Sequence, residues 1–184
     1  PATLTQPQMS LPFAAGESWY FTGGPHGAWD SGSAWGALDF APPDNSGGCN
    51  ISSSWVTAIA DGLVTRTGTG SVYQDLDNDG YEQTGWVIIY MHVASAGRVT
   101  PGEYLFRNEK VGHPSCEGGI SNATHVHITR KYNGEWIAAD GPYPWNLDGW
   151  ISSGTGYEYD GFLTRNGVSI EALDAAQPAN LISR

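Results

Sequence analysis

Apolar and polar residues alternate with a period of two in several short runs, and Gly, Pro, Asn and Asp separate those runs. Residues 35–43 read Trp-Gly-Ala-Leu-Asp-Phe-Ala-Pro-Pro, so Leu38 and Phe40 share one face of a strand while Asp39 takes the other, as in a strand lining a cleft. Residues 55–60 and 63–67 are rich in β-formers and flank Asp61-Gly62, which predicts a hairpin. Residues 86–91 are continuously apolar and run into His92, the pattern of a central strand buried on both faces. Residues 126–132 turn at Asn133-Gly134 into residues 135–138 as a second hairpin.

The ends of the chain are less regular. The stretch up to about Gly24 is mixed and aromatic and reads as a wrap around the domain. From Asp140 onward the sequence is loop-rich and carries Tyr143, Trp145, Trp150, Tyr157 and Tyr159, with a short helix expected over residues 169–176. No internal repeat and no linker composition divides the chain. The expectation is a mainly β fold: one domain over residues 1–184, built on antiparallel sheet with long loops around a groove. Its motif region covers about 23–141, and 142–184 form an extension packed on it.

Composition narrows the functional classes. The 184 residues carry 8 Lys+Arg against 19 Asp+Glu, a formal net charge of −11, which gives phosphate backbones little to bind and argues against nucleic acid as a partner. The longest apolar runs fall short of a bilayer span, so no membrane segment is expected. The chain opens at Pro1 within a polar stretch without a signal peptide, as in a mature or trimmed form. Cys49 and Cys116 lie in loop-like sequence without C-x-x-C spacing, which favours a disulfide over two buried thiols and points to a secreted, extracellular or periplasmic setting. A monomer is the default.

The candidate chemistry lies in the histidines, of which there are five: 26, 92, 113, 125 and 127. His125-Val126-His127 is an H-x-H on a predicted strand, and period-2 geometry sends both imidazoles to one face. His26 sits in Gly-Gly-Pro-His-Gly, and Asp39 follows in an apolar strand where an unpaired carboxylate is costly. Two imidazoles, one carboxylate and an open position suit a catalytic metal, but on chemistry alone several histidine sets qualify.

The ordered pattern resembles the M23 family of zinc endopeptidases, the lysostaphin- and LasA-like group. His26 and Asp39 match its first His/Asp pair at the longer spacing, His92 in Tyr-Met-His matches a strand-end histidine, and His125 and His127 match the H-x-H. The run Cys116-Glu117-Gly118-Gly119-Ile120-Ser121, the 56–64 segment, and Val99, Gly102, Val111 and Gly112 are also similar. One departure is Ser121-Asn122-Ala123-Thr124 before the H-x-H, where many members carry a glycine; no ligand is lost by it.

The resemblance implies Zn²⁺ held by His26, Asp39 and His127, with His92 and His125 beside it as proton shuttle and oxyanion donor, His125 being the base. It implies peptide-bond hydrolysis, with peptidoglycan or another peptide as substrate. The aromatic loop after Asp140 and residues 29–35 become candidate groove walls, against the alternative that these rings simply fill the core. His113 has no counterpart and reads as a loop histidine. Two other readings stay open: a catalytically silent M23-like module that binds cell wall or a partner hydrolase, and a carbohydrate-binding β-sandwich.

One motif lies outside this pattern. Asp75-Leu76-Asp77-Asn78-Asp79-Gly80 places Asp75, Asp77 and Asp79 at alternate positions, like the start of a Ca²⁺ loop, yet the twelfth position is Trp86 where an EF-hand needs Glu. A simple Ca²⁺-binding hairpin or a solvated acidic turn are the two expectations.

Overall fold

The computed structural model describes residues 4–184; residues 1–3 of the expected 1–184 domain lie outside the described residues. Its strands, in chain order, are β1 (Ser18–His26), β2 (Ala37–Ala41), β3 (Val56–Thr57), β4 (Gly62–Gly68), β5 (Ser71–Asp75), β6 (Trp86–Met91), β7 (Tyr104–Leu105) and β8 (Lys110–Gly112). They continue with β9 (Val126–Tyr132), β10 (Glu135–Trp136), β11 (Asn146–Leu147), β12 (Trp150–Gly154), β13 (Gly161–Arg165), β14 (Val168–Glu171) and β15 (Leu181–Ser183). Among the described residues the only helical element is a 3-10 turn, Pro178–Asn180.

The main sheet runs β15-β1-β2-β9-β6-β5-β4-β7, with β10 paired to β9, and the paired strands are antiparallel. β6 and β9 lie at its middle and β6 is buried along its whole length, as its unbroken apolar run predicts. The period of two then sorts the side chains. Leu38, Phe40, Ile88, Tyr90, Val126 and Ile128 enter one buried core, which Met9, Leu11 and Phe13 of the N-terminal segment help to close. Asp39, Met91 and His127 project from the opposite face, so the core face anchors the sheet while the other carries the chemistry.

Three expectations change. The 55–67 hairpin does not form: β3 pairs with β8, and β4 pairs with β5 and β7. Neither Asp61 nor Gly62 has the positive φ that a two-residue hairpin turn needs. Gly62 is there for packing, since a Cβ on it would fall 2.4 Å from the Asp75 carbonyl oxygen. The expected 169–176 helix is also absent, because Val168–Glu171 pairs with β13 through Asn166-Gly167, both at positive φ. The loop-rich extension therefore contains a four-stranded sheet, β11-β12-β13-β14, whose Trp150 and Leu163 join the same core as Trp145 and Leu147.

Candidate metal centre

The register of the main sheet assembles the site. Asp39 on β2 lies directly opposite His127 on β9, and His127 faces Met91 on its other side, so the residue after Met91, His92, emerges at the same end. His125, two residues before His127, points to the same face. β1 brings the remaining group. Gly23 pairs with Asp39 and His26 with Ala37, and the irregularity between Gly23 and His26 swings the imidazole over Asp39. Position 23 must be glycine, because a Cβ would come within 2.6 Å of Asp39 Oδ2.

Three buried donor atoms converge there. His26 Nε2 and His127 Nδ1 are 3.0 Å apart, and Asp39 Oδ1 lies 3.3 Å from the first and 3.2 Å from the second. The far nitrogen of each ring is already committed: His26 Nδ1 donates to the Gly24 carbonyl (2.8 Å) and His127 Nε2 to the Ala28 carbonyl (3.0 Å). Those bonds fix both tautomers, so two nitrogen lone pairs face one carboxylate oxygen. Asp39 Oδ1 is correspondingly a buried acceptor without a hydrogen-bond partner. Such a triangle is repulsive unless a cation fills it.

A tetrahedral ion with ligands at about 2.0–2.1 Å has ligand separations of about 3.3 Å, and the observed edges match that. Backbone carbonyls orienting the outer nitrogens are the usual partners of metal-bound imidazoles. His26, Asp39 and His127 form a metal site.

Without an ion, protons respond to the same field. Burial opposes ionisation of Asp39, but the charges of His26 and His125 outweigh it and hold the carboxyl well below the usual range. Burial lowers His26 as well, and there the Asp39 carboxylate prevails and raises it above 6.5. His92 lies farther from the carboxylate; burial, then the neighbouring His125 and His127, push it down to about 4.

His92 and His125 flank the triangle, their ring centroids 4.5 Å apart. His125 donates from Nδ1 to the Ala123 carbonyl at 2.8 Å and turns Nε2 toward Asp39 Oδ2 at 3.7 Å. His92 donates from Nδ1 to the Glu117 carbonyl at 3.1 Å, and its backbone holds a left-handed φ of 64°. The five residues expected at the zinc site thus meet in one cluster. His113 is elsewhere, packed at a tilt against Trp55 and bonded to the Ser54 carbonyl.

Of the aromatic candidates, Trp145 and Trp150 fill the core, whereas Tyr159 stacks on His26 with centroids 4.2 Å apart. Tyr159 was legible only as one ring in a loop; its contact depends on the Gly24 N–H donating to its carbonyl. Trp29 and Trp35 are partly exposed in the loop between β1 and β2. Ser115, whose N–H and hydroxyl donate to the His92 carbonyl, and Glu117, whose carbonyl accepts His92 Nδ1–H, carried no sequence signal of these contacts, which run largely through the backbone.

Cys49 and Cys116 form a disulfide beside His92 and His125. Asp75, Asp77 and Asp79 gather within 4.8 Å, but amides of their own loop occupy them: Gly80 N–H donates to Asp75, Asp79 N–H to Asp77, and Tyr81 N–H to Asp79. That is an acidic turn, and the calcium expectation finds no support.

An antiparallel sheet presenting two imidazoles and a carboxylate to a single ion, with two more imidazoles alongside, defines a protein with a mononuclear metal centre. No family model matches the chain. It is 29% identical over 172 residues to a β-lytic metalloendopeptidase of Achromobacter lyticus, covering 86% of this chain and 43% of that protein. It is 29% identical over 171 residues to the β-lytic metalloendopeptidase of Lysobacter enzymogenes, covering 86% and 89%. With protease LasA of Pseudomonas aeruginosa it shares 28% over 159 residues, 79% of this chain and 36% of LasA. The chain therefore spans less than half the length of two of these relatives. The solved structure of pseudoalterin, an M23 metalloprotease from the deep sea, superposes with a TM-score of 0.74 at 26% identity, covering 91% of this chain and 96% of that one. The chain is thus similar in sequence and in fold to M23 metalloendopeptidases, the β-lytic and LasA-like members among them.

Proposed function

We propose that the protein is a secreted zinc endopeptidase that hydrolyses peptide bonds in peptidoglycan stem peptides or cross-bridges. The observation that carries this reading is the triangle of His26 Nε2, Asp39 Oδ1 and His127 Nδ1, in which two ring nitrogens 3.0 Å apart converge on a buried carboxylate oxygen that has no hydrogen-bond partner. A zinc ion held by those atoms supplies Lewis acidity, acidifying a water and polarising a carbonyl. With one carboxylate and two neutral imidazoles the site keeps a net charge of about +1.

The protein's own groups then manage the protons. His125 Nδ1–H is committed, so its Nε2 accepts a proton, and Asp39 Oδ2 at 3.7 Å stabilises the imidazolium that results. His125 is therefore the general base. His92 is held neutral with its proton on Nδ1, so its Nε2 is a lone pair that orients a proton donor and does not itself donate to an oxyanion. That exchanges the donor role implied by the family resemblance for an acceptor role. Tyr159, stacked on His26, shields one side of the metal ligands.

Similarity to β-lytic metalloendopeptidases supports a peptidoglycan substrate, and the disulfide supports a secreted setting. Digestion of several purified peptidoglycans by the zinc-loaded protein, with mass spectrometry of the fragments, tests the proposal. New peptide termini that vanish in His26→Ala support it. A protein that binds about one zinc per chain and cleaves none of them points to the silent module instead.

A further inference from the structure

The metal triangle lies within the central sheet, where ladder bonds hold Asp39 and His127 from both sides. His92 and His125 lie just beyond strand ends, and one short segment fixes both. Ser115 donates its N–H (2.7 Å) and its hydroxyl (2.9 Å) to the His92 carbonyl, while its own carbonyl accepts the His125 N–H (3.4 Å). The Glu117 carbonyl accepts His92 Nδ1–H at 3.1 Å, and the Glu117 N–H returns to Ser115 Oγ at 3.0 Å.

The Glu117 side chain closes the ring. Its Oε2 accepts from Ser95 N–H at 2.8 Å and Ser95 Oγ–H at 2.5 Å, three residues past His92. His92 sits at a φ of 64°, a conformation that a residue with a Cβ keeps only where its surroundings over-determine it. Ser115, Glu117 and Ser95 provide that constraint from both sides of the turn. Among the described residues, no side-chain hydrogen bond of Glu117 reaches His26, Asp39 or His127.

We propose that Glu117 is a positioning residue: by holding Ser95, its carboxylate keeps the Glu117 carbonyl against His92 Nδ1 and so fixes the tautomer and aim of the His92 imidazole. The inference rests on the reading of His92 as part of the hydrolytic machinery. It assigns Glu117 an effect on turnover and none on the metal.

Zinc-loaded Glu117→Ala should keep one zinc per chain, leave KM within about twofold, and lose about 10- to 100-fold in kcat, the range for groups that orient a functional imidazole. Glu117→Gln retains a carbonyl oxygen to receive both Ser95 donors and should recover most of that loss. Imidazole ¹⁵N shifts give a readout independent of activity. His92 should hold its proton on Nδ1 in the wild type and in Glu117→Gln, and become a mixture of tautomers in Glu117→Ala. An unchanged kcat and tautomer in Glu117→Ala, a Gln variant no better than Ala, or loss of zinc in step with activity each overturns the proposal. A wild-type protein that holds zinc and cleaves nothing overturns the function proposed above, and the ¹⁵N shifts then decide the Glu117 proposal alone.

Discussion

Asp39 and His127 are cross-strand partners on β2 and β9, and the same register that pairs their backbones sets Asp39 Oδ1 3.2 Å from His127 Nδ1. Metal geometry is thus a consequence of strand pairing, with a Gly23 cleft giving the carboxylate room. Asp39→Asn keeps the shape but removes the charge that offsets a divalent cation. It should weaken zinc binding by more than about 100-fold, beyond the range for orienting groups, while the melting temperature of the metal-free protein changes little. Competition with a chromophoric chelator reads the affinity; an Asn variant that binds as tightly as the wild type removes Asp39 from the ligand set.

His125→Ala separates chemistry from metal binding. His125 reaches Asp39 only at 3.7 Å and through the oxygen that does not face the triangle, so its loss leaves His26, Asp39 and His127 in place. Zinc content should stay at about one per chain while kcat falls by about 10²- to 10⁴-fold, the usual worth of a general base. Loss of zinc together with activity would show that His125 belongs among the ligands.

Proton competition gives the site a pH dependence whose sign is set by His26. Burial alone lowers its pKa, but the Asp39 carboxylate outweighs that and raises it above 6.5. A proton on His26 has to leave before Nε2 can take a metal. Zinc affinity should therefore be highest above the raised pKa and fall as pH drops through it, by up to about tenfold per unit for this one proton. Asp39 stays ionised across that window, held well below the carboxylate range by His26 and His125 despite its burial. Isothermal titrations between pH 8 and 5.5 measure the slope. In Asp39→Asn the fall should move to lower pH, since the group that raises His26 is gone.

The sequence made the central sheet legible because period and burial coincide there: residues 86–91 are apolar on both faces, and Leu38 and Phe40 alternate with Asp39. The H-x-H was legible for the same reason, as a strand must put His125 and His127 on one side. What misled was turn chemistry read without its partner. Asp61-Gly62 looked like a hairpin turn but is a close approach to the Asp75 backbone, which no local window reveals. Asn166-Gly167 does make a two-residue turn, and the strand it leads into, Val168–Glu171, takes up the start of the helix expected over residues 169–176. The braces on His92 and His125 were invisible because backbone acceptors have no residue type: nothing in the sequence around position 117 says that its carbonyl receives His92 Nδ1–H.

The last consequence concerns the Cys49–Cys116 bond, whose two ends are 67 residues apart in sequence. Closing a loop of that length restricts the unfolded chain by about 4 kcal/mol. Removing the bond in Cys49→Ser/Cys116→Ser should lower the melting temperature by on the order of 10 °C for a domain of this size. Location makes a sharper prediction than stability does. Cys116 lies between Ser115 and Glu117, which hold His92, and the Cys49 side is tied to the segment before His125, where Thr124 N–H donates to the Gly48 carbonyl and Asn50 N–H to Thr124 Oγ1. Asp39 and His127 are held by sheet ladders that do not involve either cysteine. Under conditions where the double variant remains folded, it should keep its zinc and lose turnover, by analogy with the effect of loosening either histidine. Near-ultraviolet circular dichroism, zinc content and kcat measured on the same sample check this. A variant that retains full kcat at its reduced melting temperature would confine the disulfide to stability and separate it from the histidine pair.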